Sequence, residues 1–299
     1  MSEHLEPKVA VDQRRSFEER YGSSTEDLEH LHGTTDPLVR YLRDRRLDIG
    51  LREFLAVVGL EPEAVTVLVV CAGLGGEGSF FLRRQCGAVL VADFSFNAMA
   101  KASQTPGLIP LVADAEQLPV GSGSVDLVVV QDGLHHLRRP TVGFTEMLRV
   151  ARHGVIMIEP HTGAVAAALG TRWERATTAP DVVNYVFRWD AGLVEQLTRS
   201  YLLQEEVLLR SLRIWDHRRS VTSLVQRVPV EGRLRAAKAV YGVLQRGAGG
   251  LGNMMVAVIV RNPPPGAVSG APGLRARVVN GIRRLRPRPP YAAEDHGGH

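Results

Sequence analysis

Cysteine is almost absent: Cys71 and Cys86 are the only two in 299 residues. So few thiols neither build a disulfide framework nor offer the paired spacing of a zinc site, and both are expected as reduced thiols. No HxxxH or CxxC pair occurs, and the adjacent His135 and His136 point in different directions, so no metal centre is expected. No run reaches the roughly 18 uninterrupted apolar residues that a membrane helix needs. The opening "MSEHLEPKVAVDQRRSFEER" also lacks the apolar segment of a secretory signal, so a cytoplasmic protein without a membrane span is expected. Net basic charge is confined to one region. Residues 263–299 hold six arginines against Glu294 and Asp295, which accounts for the whole net charge of +4. A neutral body with a basic tail is not a surface that tracks phosphates, and no nucleic-acid partner is expected.

What is present divides into regions. Residues 1–62 are polar and read as a helical lid or extension; "DPLVRYLRDRRLD" offers Asp36 as a cap, Pro37 in the first turn, and Leu38, Tyr41 and Leu42 at helical spacing. Residues 63–262 read as the main domain. Up to about residue 160, β-branched runs ("VTVLVV", "AVLVAD", "LIPLVAD", "VDLVVVQD", "GVIMIEP") alternate with helical stretches, the pattern of a parallel sheet with right-handed crossovers. An insertion is expected over about 161–200, followed by strands in "YLLQEEVLLRSLRIW" and "NMMVAVIVRN". Residues 263–299 read as a Pro/Gly/Arg-rich flexible tail. Its alternative is an apolar face of Val278, Val279, Ile282 and Leu285 for acidic lipid or RNA.

The stretch "CAGLGGEG", residues 71–78, follows the first apolar run and opens a helix. A glycine turn there lets a ligand approach the backbone, and the helix N-terminus presents free N–H groups. Asp93 ends the next run, where a carboxylate can accept from both hydroxyls of a ribose. A third element, "LVADAEQLPVGSGSVDLVVVQDGLHHL", places Asp114 after one strand, then a Leu-Pro turn, then Asp126 opening a strand that ends in Asp132 and the histidine pair. Asp126 reads as structural.

These ordered motifs resemble the class I S-adenosylmethionine-dependent methyltransferases, especially the branch that includes the ubiquinone and menaquinone biosynthesis methyltransferases. The resemblance covers about residues 65–160. It implies an α/β, Rossmann-like, seven-stranded and mostly parallel sheet with an antiparallel last strand. It also implies S-adenosyl-L-methionine as cofactor, leaving as S-adenosyl-L-homocysteine. Carried over, it assigns Gly73 and Gly75 to the methionine portion, Asp93 to the ribose, Asp114 to the adenine amino group and Ala115 to the ring, with Cys71, Ala72, Phe94 and Gln131 completing the set. The family's acid near the end of the first strand falls here on Val69 or Cys71, depending on alignment, so the methionine amine must be held by backbone carbonyls or Glu77.

Ligands of open α/β sheets bind beyond the carboxyl ends of the strands, which points to "QDGLHHL" and "EPH" for the methyl acceptor. His135, His136 and His161 are the candidate bases; the competing readings are a packed ring for the first two and a solvated loop residue for the third. Asp132 either binds substrate or caps a turn. Trp173, Tyr185 and Trp189, with Phe187, either line an acceptor pocket or pack as a short buried strand, and Trp215 carries the same ambiguity. A small organic acceptor in specialised-metabolite, quinone or aromatic biosynthesis is expected, with O, N and C open. An RNA or protein methyltransferase is the alternative, although "QDGL" stands where amino-directed nucleic-acid enzymes place an Asn/Asp-Pro-Pro-Tyr tetrapeptide. A noncatalytic cofactor- or partner-binding module is another, and a homodimer is compatible with either.

Overall fold

The computed structural model describes residues 15–19, 21–22, 37–161, 175–179, 182–185, 187–216, 225, 227–265 and 281–285. Its centre is a sheet of eight strands: β1 (Val67–Val70), β2 (Val89–Asp93), β3 (Leu108–Val112), β4 (Val125–Gln131), β5 (Ala151–Pro160), β8 (Val207–Ile214), β9 (Met254–Arg261) and β10 (Gly281–Leu285). Two further strands, β6 (Arg175–Ala179) and β7 (Val182–Tyr185), form a separate hairpin. The order across the main sheet is β10-β8-β9-β5-β4-β1-β2-β3. Strands β1 to β5 are parallel, while β9 runs antiparallel to both β5 and β8. Pro110 is tolerated in β3 because that strand is at the edge of the sheet.

The parallel core buries both faces, so its strands are continuous apolar runs whose alternate residues serve opposite layers. From β1, Val67 and Val69 join Phe80, Phe81, Ala98 and Met99 of helices α2 (Gly76–Arg83) and α3 (Phe96–Ala102). Leu68 and Val70 face the other way, toward Phe144, Met147 and Leu148 of α4 (Pro140–Val150) and Val194 of α5 (Ala191–Tyr201). Local signals start and stop these helices. Ser95 caps α3 by accepting from Ala98 N–H, Asp190 caps α5 by accepting from Gly192 and Leu193, and Pro140 opens α4.

The helix α1 (Pro37–Val58), in the region read as a helical lid or extension, packs into the body of the fold. Leu47, Leu51, Phe54 and Val57 enter the main core, and Gly50 packs so closely that a β-carbon there would lie 2.7 Å from Ile156 Cγ2. Gly59, at φ 68°, ends the helix with its N–H on Leu55 O. A second helix, α6 (Val230–Ala248), packs Ala237 and Tyr241 against Leu42 of α1. The sheet also carries one strand more than expected: β10 lies in the stretch read as a flexible tail. The Pro and Gly density around it hides a five-residue strand whose Leu285 is buried and whose Arg283 pairs with Glu195 at 2.7 Å. Among the described residues no helix is long and apolar enough to cross a membrane.

Asp126 holds the amino-terminal edge together, accepting from Thr66 N–H and from Arg152, as its structural reading anticipates. Helix α2 is seated by Gly78, where a β-carbon would fall 2.5 Å from Val91 Cγ1 and 2.8 Å from Leu108 Cδ2. Gly78→Val is therefore expected to lower stability by about 1–3 kcal/mol through overpacking. Urea unfolding checks this; an unchanged midpoint would mean that α2 is not seated as described.

Candidate active site

Because β1 to β4 run parallel, the residues that follow them gather at one edge of the sheet. Between β1 and β4 the order of strands reverses, which leaves a crevice at their carboxyl ends. The turn after β1 enters this crevice. Cys71, Gly73 and Gly75 all have positive φ, at 53°, 49° and 78°. Three alternating left-handed positions thus stand in the turn, and the first of them is filled by a cysteine, not a glycine. Val69 is buried in the apolar core and carries no carboxylate. Burial first, then Asp93, Glu159, Asp114 and Glu116, push the Cys71 thiol well above its ordinary range, so it stays protonated at neutral pH.

The turn is tied to the second strand. Ala72 N–H donates to Ala92 O at 3.0 Å, and Gly73 N–H donates to Asp93 Oδ2 at 3.0 Å. The other oxygen of Asp93 accepts from Ser95 N–H at 3.0 Å. Burial raises the pKa of this carboxyl, while the bonds from Ser95 and Gly73 act in the opposite direction. Each carboxylate oxygen has a second lone pair, so Asp93 retains the capacity to accept from a diol. Gly73 and Gly75 N–H are engaged within the fold, Gly75 to Ala72 O, so their contribution to a ligand is close backbone approach rather than free donors. Asp114 sits two residues beyond β3 and accepts from Glu116 N–H at 2.9 Å; Ala115 beside it is buried. Phe94 meets Phe17 edge to face at 5.8 Å.

Beyond β4 the site is organised by Glu159, at 0% exposure near the end of β5. Its Oε1 accepts from Gly133 and Leu134 N–H at 3.0 and 2.7 Å, and its Oε2 meets His135 Nδ1 at 2.7 Å. One buried carboxylate thereby fixes both the loop and the ring. His136 packs instead, 4.1 Å from the His135 ring and 5.7 Å from that of Phe17. Asp132, at φ 54°, forms an ion pair with Arg46 of α1 at 2.8 Å, and the same guanidinium reaches Asp216 at 3.1 Å. Burial works against the charge on Arg46, but Asp132, Asp216 and Glu77 outweigh it and raise its pKa.

His161, the residue after β5, is 4% exposed, not a solvated loop residue. Its Nδ1 lies 3.1 Å from the carbonyl oxygen of Trp189. A carbonyl only accepts, so Nδ1 carries the hydrogen and Nε2 carries the lone pair. Nε2 is buried with no hydrogen-bond partner among the described residues. Burial, then Arg213, lowers the pKa of this ring. Trp189 is 1% exposed and packs against Phe144 and Phe187 at 5.5 and 5.0 Å, so of its two readings the structure shows core packing. Trp215 packs against the cluster formed by α1 and α6. Trp173 lies outside the described residues, as does the side chain of Tyr185.

Sequence reasoning passed over Arg46 and saw Glu159 only as a neighbour of His161. The available signal for Glu159 is an acid closing an otherwise wholly apolar strand, "VIMIEP". Arg46 carries no such signal, because Arg43, Arg45 and Arg46 are alike in sequence and only packing separates them. The residues suit an adenosine-bearing ligand with an amino-acid head. The fold gives carboxylates at Asp93 and Asp114, close backbone approach at 71–75, and a buried acceptor without a partner at Gln131 Oε1. An orphaned buried polar atom costs about 1–3 kcal/mol unless something satisfies it.

Residues 68–158 match the family described as Methyltransferase domain. A demethylmenaquinone methyltransferase of Beutenbergia cavernae is 31% identical over 130 residues, covering 43% of this chain and 52% of that protein. The chain thus spans about half the length of the curated relative it matches. Among solved structures, a chain of the complex between the Haloferax volcanii Trm112 methyltransferase activator and a provisionally assigned methyltransferase is similar at TM-score 0.51 and 16% identity. That match covers 81% of this chain and 100% of the other. A provisionally assigned sarcosine dimethylglycine methyltransferase from Galdieria sulphuraria gives TM-score 0.50 and 15% identity, covering 84% and 98%. At such identities the likeness is one of fold.

The His135–Glu159 pair has a thermodynamic consequence. Burial disfavours the imidazolium, but Glu159 and then Asp132 outweigh it and hold the pKa above 6.5. The folded state therefore binds this proton more tightly than the unfolded chain. The stabilisation is fully present below pH 6.5 and is lost as pH rises through the folded-state value. His135→Gln is expected to remove this loss from urea midpoints measured as a pH series; the same slope in variant and wild type would refute it.

Proposed function

We propose, from the premise that residues 68–158 form a class I S-adenosylmethionine-dependent methyltransferase domain, that this chain transfers a methyl group to a small organic acceptor whose reacting atom gives up a proton. The observation that carries this reading is His161: a neutral, buried imidazole with its tautomer set by Trp189 O and a lone pair on Nε2 that nothing among the described residues engages.

The cofactor, when bound, supplies a methyl carbon activated by a positive sulfur. Asp93 would accept from ribose hydroxyls and Asp114 from an exocyclic amine, and the turn 71–75 would lie along the methionine portion. Transfer of that methyl group would ask mainly for alignment in a dry site, and holding the cofactor and the acceptor in place is what this chain's residues would contribute. The proton that the acceptor loses goes to His161 Nε2. A lowered pKa suits a base that must be unprotonated before the reaction at neutral pH. His135 is the weaker candidate: its pairing with Glu159 favours the protonated ring and gives it a role in holding the loop.

The neutral body of the chain supports a small acceptor over RNA. Incubation of the pure protein with methyl-labelled cofactor and a cell extract should place label on a small molecule; label on RNA or protein would reverse the assignment. His161→Gln is expected to lower turnover by about 10²–10⁴-fold with affinity for S-adenosylhomocysteine unchanged. The acid limb of the wild-type rate profile should fall below pH 6.5, the ordinary imidazole value. A variant with full turnover would remove His161 from the chemistry.

A further inference from the structure

Two buried acceptors at the carboxyl edge of the sheet lack a partner among the described residues, His161 Nε2 and Gln131 Oε1. The second has no role in the chemistry above. Gln131 ends β4, beside the crevice where the strand order reverses, and is 7% exposed. Its amide nitrogen donates to Glu77 Oε1 at 3.4 Å, which turns the oxygen away from Glu77. The neighbouring loops are in contact: a β-carbon on Gly133 would lie 2.5 Å from Cys71 Cβ, so the end of β4 and the turn after β1 enclose one space.

We propose that Gln131 Oε1, backed by Glu77, seats the ammonium group of the cofactor's amino-acid head and replaces the acid that this chain lacks at Val69 or Cys71. The inference rests on the methyltransferase reading of the same site. An ammonium group has three donors and no acceptor, and a glutamine oxygen with no donor in the fold is its complement. Hydrogen-bond chemistry selects this end of the zwitterion over the carboxylate end. The nearby Arg46 is already engaged by Asp132 and Asp216. A carboxylate has no hydrogen to give Gln131 Oε1, whereas an ammonium group has three. The buried apolar side chain of Val69 offers no competing seat.

The test compares two ligands by calorimetry on the full chain: S-adenosylhomocysteine, and 5′-methylthioadenosine, which keeps the adenosine and thioether but lacks the amino-acid head. Gln131→Leu is expected to weaken S-adenosylhomocysteine roughly ten- to a hundredfold and to leave methylthioadenosine within about twofold. Gln131→Glu, which keeps the acceptor and adds charge, should bind S-adenosylhomocysteine at least as tightly as wild type. An unchanged ratio of the two affinities in Gln131→Leu overturns the proposal. Should that variant fail to fold, Glu77→Gln decides in its place, with selective loss of S-adenosylhomocysteine supporting the proposal and equal effects on both ligands overturning it. Wild-type protein that binds neither compound would instead overturn the methyltransferase reading, because the adenosine site itself would be missing.

Discussion

Where β1 lies between β2 and β4, neighbouring crossovers depart to opposite faces of the sheet, and the carboxyl ends of the two central strands are left uncovered. Everything proposed for this molecule depends on that opening. Asp93, Asp114, Gln131 and Glu159 are far apart in sequence, yet each closes or follows a strand that runs in the same direction, so each arrives at the same rim. Close packing beneath holds them in place. Gly78 seats α2 against Val91 and Leu108, and Gly50 seats α1 against Ile156. The rim is precise because the layers under it leave little room to shift.

The second constraint is charge taken out of water. Arg46 sits among Asp132, Asp216 and Glu77; Glu53 pairs with Arg210 inside the fold; Glu159 receives three donors. Such groups rarely increase stability relative to apolar replacements, because desolvation opposes the attraction. Their effect here is geometric. Arg46 ties α1 to the ends of β4 and β8, and Glu159 ties the loop after β4 to β5. His161 presents the contrasting case, an imidazole kept neutral by the same burial that the ion pairs overcome.

Much of this was legible in the residues. Apolar runs located β1 to β4, acids at the ends of the second to fourth marked their rim, and the glycine turn located the crevice, because backbone geometry there demands residue types that stand out. The left-handed position at Cys71 was not legible, since a cysteine fills a conformation that glycine adopts more easily. The aromatic cluster was read with two meanings, and the choice for Trp189 came from the facing Phe144, 45 residues away in sequence. How deeply helix α1 packs was not legible, because its buried face carries arginines and a glycine beside leucines, a mixture that looks solvated until its partners are known. The same blindness hid Arg46.

Strand β10 gives the arginine-rich end of the chain an architectural meaning. Without it, β8 would present a row of unpaired backbone donors and acceptors along the margin of the sheet, the kind of template on which a second molecule can polymerise. A short ribbon with one buried leucine and two arginines anchored to Glu195 and Glu206 closes that margin. Shortening this protein to its most apolar part would therefore trade a closed sheet margin for a sticky seam.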